Sequence, residues 1–127
     1  MPGWNILVVD DEREIRDVIA EYLEALGHRV VAVSSGKEAL EDLANGKDPY
    51  DLALVDWSMP GISGRDVIRD IARRTPATVV LITTGYMPVG MEVRHIEGID
   101  AHVLHKPFSL SDLRAKIKEI SKHLTPG

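Results

Sequence analysis

The sequence predicts an α/β fold: one doubly wound parallel sheet of five strands, covered by helices on both faces. Two observations carry this. Five apolar runs of strand length alternate with segments whose apolar residues recur at helical spacing. Strands that alternate with helices build parallel sheets, and such strands read as nearly continuous apolar runs because both their faces are buried. The chain of 127 residues is the size of one domain, expected over residues 4–124, with residues 1–3 and 125–127 as frayed ends.

The elements follow in order. Asn5-Ile6-Leu7-Val8-Val9 is too short for a helix and rich in branched residues, so it reads as the first strand. Ile15, Val18, Ile19, Tyr22, Leu23 and Leu26 then recur at helical spacing, with Gly27 as the stop. Residues 29–33 are the second strand. Ser35 and Glu38 have capping-box spacing and open a helix that carries Ala39, Leu40 and Leu43 and ends at Asn45-Gly46. Leu52-Ala53-Leu54-Val55 is the third strand. Ser63 and Asp66 start a helix whose inner face is Val67, Ile68 and Ile71, and Pro76 ends it before the fourth strand at 78–83. In residues 86–98, Pro88 and Gly90 leave space for only a short helix. The fifth strand is 101–105, and Ser109 with Asp112 opens a last helix bearing Leu113, Ile117, Ile120 and Leu124. Right-handed crossovers leave few windings for five such strands. The flavodoxin-like order 2-1-3-4-5 fits them.

Composition excludes several functions. With 44% apolar residues and 28% charged, the chain has enough apolar matter for one core and is not of a disordered type. A net charge of −5 argues against direct nucleic-acid binding, which needs clustered Lys and Arg. Cysteine is absent, so disulfides, thiolate nucleophiles and Cys-based zinc sites are ruled out. The five histidines (His28, His95, His102, His105, His123) show no metal-ligand spacing and read as surface or partly buried residues. No run is long and apolar enough for a bilayer, and no charged-then-apolar leader follows Met1. The expectation is a cytoplasmic protein without membrane contact.

In an open parallel sheet, ligands bind beyond the carboxyl ends of the strands. The first strand ends in Asp10-Asp11-Glu12, the third in Asp56, the fourth in Thr83-Thr84-Gly85 and the fifth in Lys106-Pro107. Carboxylates, a hydroxyl and a lysine thus converge on one edge. Crowded carboxylates repel one another, and a hard divalent cation such as Mg2+ is the natural remedy. Lys106 and Thr84 would stabilise the charge of a phosphoryl group in transit. An aspartate can itself be the nucleophile, giving an acyl phosphate.

Four motifs, in this order and each at a strand's end, resemble the response-regulator receiver family of two-component signalling: Val8-Val9-Asp10-Asp11-Glu12, Asp56 with Pro60-Gly61 and Ser63-Gly64, Thr84-Gly85, and Lys106-Pro107-Phe108. The resemblance covers essentially the whole chain. It implies a phosphorelay receiver, a phosphoprotein switched by phosphoryl transfer and not an enzyme with a separate substrate. Asp56 is then the phosphoacceptor. Asp11, Asp56 and the carbonyl of Ser58 would bind Mg2+ directly, and Asp10 through water. Thr84 and Lys106 would contact the phosphoryl group, and the Lys106–Pro107 bond would be cis. The donor would be a sensor histidine kinase or a phosphotransfer domain, and the output a homodimer or a downstream effector contact. One residue departs from the family pattern. Val103 stands where relatives carry an aromatic switch residue, so the movement triggered at Thr84 is expected to pass into residues 86–98 instead.

Taken singly, these residues have plainer roles. Asp10 and Asp11 fit a helix cap, Asp56 a turn before Pro60, Thr84 a strand end and Lys106 a solvated tip. Gly61 and Gly64 suit the turn and the helix start, and Met59 and Phe108 suit the core. Only the joint arrangement points to chemistry. A phosphoaspartyl phosphatase would place its nucleophile in an Asp-x-Asp motif after the first strand and needs a cap, for which no insertion exists. A nucleotide-binding module needs a glycine-rich turn where Asp10-Asp11-Glu12 stands.

Overall fold

The computed structural model describes residues 3–46, 48–85 and 93–124. In chain order the elements are β1 (Asn5–Val9), α1 (Arg13–Ala25), β2 (Arg29–Val33), α2 (Gly36–Asn45), β3 (Leu52–Asp56), α3 (Gly64–Arg74), β4 (Val79–Thr84), β5 (Val93–Ile96), β6 (Ile99–His105) and α4 (Leu110–Ile120), followed by a 3-10 turn at Ser121–His123. The expected frayed residues 1, 2 and 125–127 lie outside the described residues.

The sheet has six strands in the order β2-β1-β3-β4-β6-β5. Its first five strands are parallel and reproduce the expected flavodoxin-like winding. The sixth corrects the expectation of five strands, and of helix over the part of 86–98 that is described. Residues 86–92 lie outside the described residues, but Val93–Ile96 is a strand, antiparallel to β6. Its cause is local. Ile96 and Ile99 flank Glu97-Gly98, and both turn residues have positive φ (51° and 82°), the backbone of a tight two-residue hairpin. Ile96 is buried in the core, and the Glu97 carboxylate accepts from Arg69 Nε at 2.6 Å, with Arg65 at 4.0 Å. The hairpin is thereby fastened to α3, and the last parallel strand begins at Ile99, two residues earlier than its pattern suggests.

Period-two alternation divides the core between the two faces of the sheet. Leu7, Val9, Val55, Ile82 and Val103 meet Ala39 of α2 and Val67, Ile68 and Ile71 of α3. Ile6, Val8, Leu54, Leu81 and Leu104 meet Ile19 and Leu23 of α1 and Leu113, Ile117 and Ile120 of α4. Each fully buried side chain of this size contributes about 1.5–3 kcal/mol. Met59 is buried and Phe108 packs on the second layer, as their apolar character suggests. Val18 and Leu26 carry the helical spacing of α1 but face solvent, so the apolar stripe is wider than the buried one.

Helix starts aim the loops at the site. Ser63 with Asp66 and Ser109 with Asp112 form complete capping boxes. Ser35 accepts from Glu38 N–H, but the Glu38 carboxylate turns to the Ser34 hydroxyl, so that box is half made. At the start of α3, a Cβ on Gly64 would lie 2.5 Å from the Asp56 carbonyl oxygen and 3.0 Å from Trp57 Cα. Only glycine allows α3 to sit this close to the end of β3. Gly64→Ala is therefore expected to cost about 1–3 kcal/mol of stability in urea unfolding; an unchanged midpoint would show that the two segments can separate without penalty.

Candidate functional site

Parallel strands bring their carboxyl ends to one edge, and main-chain bonds carry the register one residue past them. Asp10 N–H donates to the Val33 carbonyl at 3.2 Å, Trp57 N–H to Thr83 at 2.9 Å and Lys106 N–H to Thr84 at 2.8 Å. The candidate residues at this edge are thus held by the sheet itself. Asp10, Asp56 and Thr84 are buried (2%, 3% and 1% exposed), whereas Asp11 and Ser58 are exposed.

Carboxylate oxygens of Asp10, Asp11 and Asp56 lie within 4.8 Å of one another. Lys106 Nζ stands among the acids, 3.2 Å from Asp10 Oδ2, 3.3 Å from Glu12 Oε1 and 3.4 Å from Asp56 Oδ2. Ser58 N–H donates to Asp56 Oδ1 at 3.2 Å, and Glu12 N–H to Asp10 Oδ1 at 2.8 Å. The Lys106–Pro107 peptide bond is cis. The structure brings Asp10, Asp11, Asp56 and Lys106 together, with Thr84 and Ser58 on the same edge. Val103 lies elsewhere, 2% exposed in the core beneath α2 and α3.

The electrostatics follow from this crowding. Burial pushes the Asp56 carboxyl up to about 6; the charge of Asp10 and a hydrogen bond with Asp11 act in the same sense, while Lys106 and the Ser58 N–H pull it down. Burial of Lys106 works against its charge, yet Asp10 and Asp56 outweigh that and raise it above the ordinary lysine value. The donor set is all hard carboxylate oxygen, which suits Mg2+, an ion that keeps several waters and takes one or two carboxylates.

Two contacts carry no sequence signal of their own. Arg16 Nη1 donates to the Asp10 carbonyl at 3.0 Å, and Glu12 reaches Lys106. Glu12 is also the N-cap residue of α1, where its side chain makes no capping bond. The plainer reading of Asp10 and Asp11 as that cap therefore gives way, since Asp10 serves the loop before the helix and the cluster.

Comparison with known proteins decides the family. The model of the response regulator receiver domain matches residues 6–118. The chain belongs to the response regulator receiver family. The phosphate regulon transcriptional regulatory protein PhoB of Pseudomonas aeruginosa is 33% identical over 130 residues, which cover 100% of this chain and 56% of that protein. The chain spans about half the length, or less, of the curated relatives it matches. Among solved structures, a CheY-like receiver domain protein from Methanospirillum hungatei is 28% identical with a TM-score of 0.79, over 95% of this chain and 96% of that one. The receiver domain of the sensor histidine kinase PA1611 from Pseudomonas aeruginosa, with magnesium coordinated in its active site cleft, is 26% identical with a TM-score of 0.75, over 92% and 96%. This chain is a receiver domain of two-component phosphorelay signalling.

A raised carboxyl value in the fold means that the receiver binds a proton at Asp56 more tightly than the unfolded chain does. Its favourable contribution is complete below about pH 4, the unfolded value, and is lost as pH rises through about 6. Asp56→Asn should therefore stabilise the metal-free receiver by about 1–3 kcal/mol at pH 7.5, with the gap closing toward pH 4. Urea unfolding across that range checks it; equal stability of the two proteins at pH 7.5 would contradict the raised Asp56 value.

Proposed function

We propose that Asp56 accepts a phosphoryl group from the phosphohistidine of a sensor histidine kinase or a phosphotransfer domain, in a reaction that needs Mg2+. The observation that carries this is the buried Asp56 carboxylate within 3.4 Å of Lys106 and in the cluster with Asp10 and Asp11. Asp11, Asp56 and the Ser58 carbonyl would hold the ion, with Asp10 acting through water. When bound, Mg2+ neutralises the acids and the phosphoryl oxygens. A carboxylate oxygen of Asp56 attacks phosphorus, the bond from phosphorus to the donor's imidazole nitrogen breaks, and that nitrogen keeps the electron pair and takes up a proton. Lys106 and Thr84 steady the phosphoryl oxygens, through an ammonium and a hydroxyl, as charge spreads over them. The PA1611 receiver, with its magnesium, supports the same use of this edge.

The product is a switch and not a turnover of a separate substrate. Attraction of Thr84 toward a phosphoryl oxygen would pull Gly85 and the residues that follow. Val103, packed in the core with its stiff branched side chain, has no ring to swing. The movement then passes into residues 86–98, of which β5 and its turn are described, and alters contacts with β6, α4 and a partner or second copy. A cytoplasmic setting, without direct nucleic-acid or membrane contact, fits the net charge of −5 and the lack of any helix long and apolar enough to cross a membrane among the described residues.

Incubation with acetyl phosphate and Mg2+ is expected to add one phosphoryl mass, and Asp56→Asn to remove it; equal labelling of that variant would refute the assignment. Metal binding has a separate reporter. Trp57 adjoins Asp56, whereas Trp4 precedes β1 at the far end of the sheet, stacked on His28 at 4.8 Å between ring centroids. A magnesium titration should change the fluorescence of the receiver and lose that change in Trp57→Phe. A response that survives the substitution would put the ion elsewhere.

A further inference from the structure

A lysine ammonium has three hydrogens to donate. At the sheet edge Lys106 donates to Asp10 at 3.2 Å and to Glu12 at 3.3 Å, with Asp56 as a third ion-pair partner at 3.4 Å. A phosphoryl oxygen on Asp56 takes that carboxylate's place beside the ammonium and competes with Asp10 and Glu12 for its hydrogens. Asp10 is poorly placed to yield, since its side chain is 2% exposed and its other oxygen accepts from Glu12 N–H at 2.8 Å. Asp56 is the acceptor itself, 4% exposed at its side chain and inside the acid cluster. Glu12 differs on each count. Its side chain is 57% exposed, it stands outside the cluster that could share a cation, and it has no capping bond to α1 to lose. Water can replace its lysine contact at small cost.

We propose that Glu12 is a positioning residue that holds Lys106 in the resting receiver and competes with the incoming phosphoryl group for it. The proposal rests on the assignment of Asp56 as phosphoacceptor. Phosphorylation then moves the Lys106 ammonium from Glu12 to a phosphoryl oxygen, and the Glu12 carboxylate turns out to solvent. Its cost to the reaction has two separable parts, the lysine contact and the negative charge it leaves at the mouth, which repels an anionic donor. Glu12→Gln removes both the charge and the ion pair. Glu12→Asp keeps the charge but is one methylene shorter, and at an N-cap position its carboxylate folds back onto the amides of α1 instead of reaching Lys106.

The test is the rate of labelling by acetyl phosphate at saturating Mg2+ for wild type, Glu12→Gln and Glu12→Asp. The 15N ammonium resonance of Lys106 in the metal-free proteins adds a readout independent of phosphorylation. Both variants are expected to label about two- to fivefold faster than wild type, and in both the Lys106 resonance should move. Three results would overturn the proposal: Glu12→Gln labelled no faster than wild type, Glu12→Asp labelled at the wild-type rate while Glu12→Gln gains, or a Lys106 resonance that stays in place. The second of these would show that charge at the mouth, and not the lysine contact, sets the rate. Wild type that takes no label at all would instead remove the phosphoacceptor assignment, and the proposal with it.

Discussion

Carboxylates collected at the end of a parallel sheet cannot all carry their charge unless cations stand among them. Unit charges about 4 Å apart near a protein surface repel by roughly 4 kcal/mol, and Asp10, Asp11 and Asp56 offer oxygens within 4.8 Å of one another. Lys106 answers part of this excess by contacting Asp10, Glu12 and Asp56 together. Burial raises the Asp56 carboxyl, and the charge of Asp10 and the hydrogen bond with Asp11 push it the same way. The edge is therefore built to be incomplete. Its unsatisfied charge is what a divalent cation would meet, and once the acids are neutralised, the lysine is available to a phosphoryl oxygen.

The rest of the fold serves that constraint. Parallel pairing sets β1, β3, β4 and β6 side by side, so that residues far apart in sequence finish at one level. The bond from Lys106 N–H to the Thr84 carbonyl keeps the lysine beside the threonine. Gly64 lets α3 press against the Asp56 carbonyl. Further along α3, Arg69 grips Glu97 in the β5–β6 turn.

Most of this was legible in the amino-acid pattern, for identifiable reasons. Apolar runs such as Ile6 to Val9 and Leu52 to Val55 are buried on both faces, so tertiary packing agrees with local preference. The spacings of Ser63 with Asp66 and Ser109 with Asp112 mark helix starts that the chain uses. Acids, hydroxyl and lysine could be placed on one edge because every strand before them runs the same way. The edge hairpin was hidden because Pro88 and Gly90 dominate the local pattern of 86–98. Its turn depends on Glu97 taking a positive φ, held by an arginine 28 residues earlier. The Glu12 contact was hidden for a related reason. Residues 12 and 106 become neighbours only after the sheet is assembled, and the acidic run around Glu12 gives no hint of which acid takes the lysine.

The chemistry proposed at Asp56 would also separate this receiver from a phosphatase built on related logic, whose nucleophile would follow the first strand. Borohydride reduction of the protein after incubation with acetyl phosphate and Mg2+ tests this most directly, because it converts an acyl phosphate carbonyl to an alcohol that peptide mass spectrometry can locate. Reduction at position 56, and at no other aspartate, is the predicted result. An alcohol at position 10 or 11, or the same yield without Mg2+, would contradict the account.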